Sequence, residues 1–172
     1  MEKKITTSVL AGIVLSLVLI VESVIVYFTG LYMQSWAKYI GLAIFAVGVF
    51  WAINNHAKEK QHDVSYGELF SFGFKVSAVV TCFIVLYTVL SEALFPEMKT
   101  KMMEIARQQA LNQPGADPDL VDKGLAVYSD HYTLYNVIIV IFAFVFLGLV
   151  FSLIAAAIPK KNPNAGLENQ FK

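Results

Sequence analysis

From Leu134 to Ile158 the chain runs without a charged residue, ending at Pro159 and the pair Lys160-Lys161. A helix needs roughly 20 predominantly apolar residues to cross the hydrocarbon of a bilayer, and this run is long enough. Inside that hydrocarbon no water reaches an unpaired peptide group, so the segment has to satisfy its own backbone as a helix. Pro159 brings no amide proton to continue it, and the two lysines suit the headgroup layer beyond. Gly148, Ser152 and Ala155 form a stripe of small residues over which a second helix can approach closely.

Three earlier runs make the same demand, at residues 5–28, 37–53 and 66–95. The expected fold is therefore an all-α integral membrane protein with four transmembrane helices, a single membrane domain over 1–172. Its spans lie at about 5–28, 37–53, 66–95 and 134–158, with an extramembrane helical segment at 96–131 and a polar tail at 159–172. Composition agrees: 57% of residues are hydrophobic and 15% charged, with mean hydropathy +0.61. A soluble domain carries about a quarter charged residues, so the expected partner is first of all the lipid bilayer. A formal net charge of zero argues against nucleic acid. The lone cysteine, Cys82, excludes an intrachain disulfide and a cysteine metal cluster, and reads as a small packing residue.

The chain opens MEKK and then carries one charge, Glu22, before Phe28. Lysines before an apolar run also mark signal peptides, but this run exceeds the usual 7–15 residues of such a core and no small-x-small cleavage site follows it. An uncleaved first helix is the reading. Tyr27, Tyr32 and Trp36 suit an interfacial belt. In the second span Ala37, Gly41, Gly48 and Ala52 fall within roughly 60° of one another at 100° per residue, giving one small face. Trp51 and Asn54 mark its other interface, and 54–63 (NNHAKEKQHD) is expected as a polar connection.

The third run, VSYGELFSFGFKVSAVVTCFIVLYTVLSEALF, begins with a helix-start signal. Ser65 and Glu68 have the spacing of a capping box, in which the hydroxyl accepts from the Glu68 N–H while the carboxylate reaches back to the Ser65 N–H. Val64 and Leu69 occupy the positions of a hydrophobic staple. Ser77, Thr81, Thr88, Ser91 and Glu92 fall within roughly 100° of each other, a polar stripe expected to face other helices. Lys75, nearly opposite, can snorkel to the interface.

Between the third and fourth spans, MKTKMMEIARQQALNQ places Met98, Met102, Ile105 and Ala106 on one face of an amphipathic helix. Pro114-Gly115 supplies a turn, and Asp117 is a plausible N-cap with Pro118 at the first helical position. Leu120, Val121 and Leu125 then suggest a second amphipathic helix. The long loop is expected to be a helical hairpin, on the membrane or capping the bundle.

Orientation follows from basic residues flanking the spans. With the N-terminus cytoplasmic, one side holds Lys3, Lys4, Lys58, Lys60, Lys75, Lys160, Lys161 and Lys172. The other holds Lys38, Lys99, Lys101, Arg107 and Lys123. The positive-inside rule favours both termini in the cytoplasm.

The order of the four spans, the entry VSYGELFSFGFKVS, the long Met- and Gln-bearing loop and the ending AAAIPKK together resemble a bacterial family. It is catalogued as domain of unknown function 4199 and found mainly in Bacteroidetes. Ser65-Tyr66-Gly67-Glu68 and Phe72-Gly73-Phe74 carry the resemblance best. It implies a bacterial inner-membrane protein of four helices, and no established activity, cofactor or catalytic residue carries over.

Glu22 and Glu92 are the residues that call for explanation. On the expected topology both lie toward the external ends of outward-running spans, at similar depths. A charge at mid-bilayer costs roughly 2.5–3.5 kcal/mol on the insertion scale, so Glu22 is better protonated or hydrogen-bonded than bare. One reading is a proton or cation site made by Glu22 and Glu92 with Thr88, Ser91 and Ser23; the other is a structural hydrogen bond at Glu22 and snorkelling at Glu92. His56, His62 and Asp63 match no metal motif, and His131 suits an interface. No phosphate loop, nucleophile elbow or HExxH pattern occurs, so no catalytic, cofactor-binding or metal residue is assigned and no enzyme is expected. What remains is a structural or accessory component acting through helix packing, as a homo-oligomer or with a membrane-protein partner. The alternative is a small proton- or cation-translocating transporter or channel subunit using Glu22 and the polar face of the third helix.

Overall fold

The computed structural model describes residues 6–34 and 36–159. Lys3, Lys4, the Lys160-Lys161 anchor and the sequence-predicted tail beyond Pro159 lie outside the described residues. Within them the chain is helical, with α1 at Ser8–Phe28, a 3-10 turn at Leu31–Met33, α2 at Lys38–Glu59 and α3 at Tyr66–Leu94. Then come α4 at Pro96–Leu111, α5 at Pro118–Asp130 and α6 at Tyr132–Ala156, with no strand among the described residues. Helices α1, α2, α3 and α6 are each long and apolar enough to cross a membrane. The protein is thus an all-α, multi-pass membrane protein.

Local chemistry sets the helix ends. Thr7 caps α1 by accepting from the Leu10 N–H at 3.2 Å. Gly30, at φ 72°, turns the chain out of α1 in the left-handed region that glycine enters at no steric cost. Ser65 accepts from the Glu68 N–H at 3.2 Å, the first half of the sequence-predicted capping box. The Glu68 carboxylate does not complete the box: its Oε1 lies 3.9 Å from both His56 Nε2 and Lys60 Nζ. Pro96 stops α3 and starts α4 after the single non-helical residue Phe95, because proline suits a first helical turn and lacks the donor an interior needs. Asp117 caps α5 through the Asp119 N–H at 2.9 Å, with Pro118 following.

The clearest departure from the sequence reading is α2. Hydropathy falls at Ile53, yet the helix continues through Glu59 and the polar connection shrinks to a tight turn. The reason is that one side of this extension stays buried: His56 is 7% exposed and Ala57 0%. Where it ends, the His62 N–H donates to Ala57 O and the Gln61 N–H to Lys58 O, the bond pair of a Schellman cap. Gln61 and His62 both take positive φ there, at 55° and 60°.

The chain divides into two compact units, one made of Met1–Phe83 and Phe142–Lys172, the other of Ile84–Ile141. The first has a small-residue interior. A Cβ added to Gly148 on α6 would fall on the Ser77 side chain of α3, and one at Gly73 would meet Ile53 and Ser152. Gly48 lies beneath Leu15, and Gly12 beneath Val79. Ser16, Ser77 and Ser152 are all 0% exposed. Phe45, 1% exposed, fills the remaining volume with its ring edge-on to Phe144 and Phe151. Other large apolar side chains point outward, with Phe142 71% and Val47 68% exposed. That arrangement suits lipid, where no hydrophobic force draws helices together and close van der Waals contact must do so.

The second unit holds the end of α3, the α4–α5 pair and the start of α6. Gly115, at φ 79°, turns α4 back toward α5. Arg107 joins the two with a bidentate pair to Asp122, at 2.6 Å from Nε and 3.0 Å from Nη2. Lys99 joins them again by donating to the Ser129 carbonyl at 2.9 Å.

Candidate functional site

Glu22 and the three α3 residues expected beside it fall in different units, and each has its own surroundings. On α1, in the first unit, the Glu22 carboxylate lies on the backbone of α2 at Gly41, where an added Cβ would stand 3.3 Å from Oε2. Gly41, expected from sequence to serve close helix packing, makes room for a carboxylate. The rest of that small face packs as its spacing implies, with Ala37 4% and Ala52 5% exposed and Gly48 under Leu15.

On α3 the polar stripe spends its donors locally. Ser77 donates to Gly73 O at 3.1 Å, Thr81 to Ser77 O at 2.8 Å and Thr88 to Ile84 O at 2.8 Å. Ser91 donates to Thr88 O at 2.9 Å. A hydroxyl that bonds back to its own helix satisfies itself without reaching a neighbour. Glu92 differs, because its Oε2 accepts from the Thr133 hydroxyl on α6. Thr88, Ser91 and Glu92 therefore share one helix end, and only the carboxylate reaches across.

Around Glu92 lies a polar cleft of about 240 Å³ that sequence reading missed. Lys99, Asp130, His131, Tyr132 and Thr133 share its wall. The Lys99 ammonium stands 5.5 Å from the centre of the Tyr132 ring, a cation–π distance. Next to it the Tyr128 hydroxyl donates to Asn136 Oδ1 at 3.0 Å. The available signal was the pair of one-residue junctions, Phe95 between α3 and α4 and His131 between α5 and α6. The first brings a polar helix start up against the end of an apolar run, and the second a polar helix end against the start of one.

A second polar cluster lies at the C-terminal end of α2. His56 stacks on Phe72 with centroids 3.9 Å apart and rings 12° from parallel. Glu59 accepts from the Thr6 N–H and hydroxyl, both at 2.7 Å, and from Asn55 at 2.8 Å. These bonds tie the start of α1 to the end of α2. Tyr66 donates its hydroxyl to the Leu153 carbonyl at 3.1 Å, linking the start of α3 to the last turn of α6. Among the described residues no group of three or more His, Cys, Asp and Glu side chains is placed to hold a metal ion.

Outside the spans, Asp122 is held below the usual carboxylate range by its hydrogen bond from Arg107 and by the guanidinium charge, and Arg107 is raised in turn. Searches among curated proteins and among solved structures gave no match. The sequence pattern of one protein family matches this chain over residues 10–161. The chain belongs to the family described as Protein of unknown function (DUF4199).

Proposed function

We propose that the chain is a structural or accessory component of a bacterial inner membrane, without catalysis of its own, acting through its outer faces on a membrane-protein partner or a second copy. The observation that supports this is the filled interior of the first unit. Val49, Ile53, Val76, Val80, Ser16, Ser77 and Ser152 are each 0% exposed, and side chains there rest directly on glycine backbone. A water-lined path needs polar groups turned toward a cavity; here the buried hydroxyls of Ser16, Ser77 and Thr81 bond to their own helices.

Transport of protons or cations is the second reading, and Glu22 against Gly41 is what favours it. A carboxylate carried on a spanning helix is a functional candidate by default. Reconstituted liposomes separate the two readings: proton and sodium flux is expected to stay at the empty-vesicle background and to be unchanged by Glu22→Gln. Flux well above background that Glu22→Gln abolishes would overturn the accessory reading. Affinity purification after crosslinking in native membranes is expected to recover a stoichiometric membrane-protein partner or a dimer.

A further inference from the structure

The cleft beside Glu92 separates opposite charges that do not meet. Glu92 lines it, with Oε2 engaged by Thr133, and so does Lys99, held by the Ser129 carbonyl and the face of Tyr132. Glu92 and Lys99 form no ion pair, although both line one space of about 240 Å³. Neither group is exhausted. An ammonium has three donors and Lys99 uses one; a carboxylate has two oxygens, and Oε1 of Glu92 is left over. Asp130 adds a second acidic group to the wall. The first turn of the 25-residue α6 also lines it at Tyr132, Thr133 and Leu134, whose N–H groups precede the first intrahelical bond, from Tyr135 to His131 O.

We propose that this cleft binds the phosphoethanolamine zwitterion, with the phosphate at Lys99 and the primary ammonium at Glu92 and Asp130. The group carries an anion and a cation two carbons apart, matching a wall that holds the Lys99 ammonium beside the Glu92 and Asp130 carboxylates without an ion pair between Lys99 and Glu92. Its source is a membrane lipid rather than a free solute. Glu92 stands within the last turn of the apolar α3 and Tyr132 is the first residue of the apolar α6, so the cleft sits where two spans leave the hydrocarbon and headgroups begin. Selectivity follows from the same groups. A choline headgroup has no N–H to donate to Glu92, and a glycerol headgroup has no cation for it.

The test uses the full chain in detergent, incubated with equimolar phosphatidylethanolamine, phosphatidylcholine and phosphatidylglycerol, with retained lipid counted by native mass spectrometry. Phosphatidylethanolamine is expected to be retained about tenfold over the others. Glu92→Gln and Lys99→Gln should each bring it down to the phosphatidylcholine level, while Lys101→Gln, two residues along α4 and 3.9 Å from Glu97, should leave the preference intact. Equal retention of the three lipids by the unaltered protein would overturn the proposal without recourse to any variant. So would a preference that survives in Glu92→Gln or Lys99→Gln with unchanged helix content, or an equal loss in Lys101→Gln. Soluble phosphoethanolamine that displaces the lipid at matching concentration would overturn the assignment to a lipid.

Discussion

Single residues here are decided by where a polar atom finds its partner. Ser77, Thr81, Thr88 and Ser91 occupy one stripe of α3, and their spacing made that legible in the sequence. Spacing does not say that each hydroxyl turns back to its own helix, because that is a rotamer choice settled by the neighbouring backbone. Ser152 shows the opposite outcome: its buried Oγ has no partner and faces Gly73. Tyr66 is the residue whose role was least legible. Leu153 O is one of the last four carbonyls of α6, and Ala157 N–H, its ordinary partner, donates to Ile154 O instead. The Tyr66 hydroxyl fills that place from 87 residues away in sequence. Tyr66→Phe is expected to cost about 1 kcal/mol, the net worth of one neutral hydrogen bond. It should appear as a lower thermal midpoint in detergent with unchanged helix content, and an unchanged midpoint would count against the cap.

Elements pair by what their faces lack. α3 and α6 meet through Ser77 and Gly148, so a larger residue at 148 has to push the helices apart. Gly148→Val is expected to destabilise by roughly 1–3 kcal/mol, as overpacking does, measured by unfolding of the purified protein in mild detergent. The α4–α5 hairpin is held differently, with no residue of either helix buried and with Arg107–Asp122 across it. Asp122 has a lower pKa folded than unfolded, so the pair contributes at pH values above the ordinary aspartate value of about 3.9. The contribution is lost as pH falls through the lower folded value. Carboxyl-carbon NMR should show the Asp122 midpoint rising in Arg107→Gln, and a midpoint that stays put would remove the guanidinium as its cause. The hairpin was legible from Asp117-Pro118 and Pro114-Gly115, whereas the Arg107–Asp122 pairing depends on how α4 and α5 are turned toward each other.

For the whole molecule, the proposed topology puts the short connection after α2 on the cytoplasmic side, with the basic excess. In a Cys82→Ala background, Asp63→Cys should be labelled by a membrane-impermeant maleimide in inverted inner-membrane vesicles and not in right-side-out ones. The reverse pattern would invert the topology. The sequence by itself determined the class and the count of spans, because lipid penalises unpaired peptide groups and charges so heavily that apolar length alone marks the crossing helices. It also determined most helix starts, which are local chemistry at Ser65, Pro96 and Asp117-Pro118. The end of α2 was decided elsewhere: residues 54–59 are polar in composition and helical because His56 and Ala57 bury against other parts of the chain. The candidate site was decided by tertiary structure as well. Glu92 was visible as an oddity in an apolar run, but Lys99, Tyr132 and Thr133 became its neighbours only when two one-residue junctions folded α4 and α6 back beside the end of α3. Hydropathy sums the cost of each residue in lipid; it carries no term for which charged groups share a cleft.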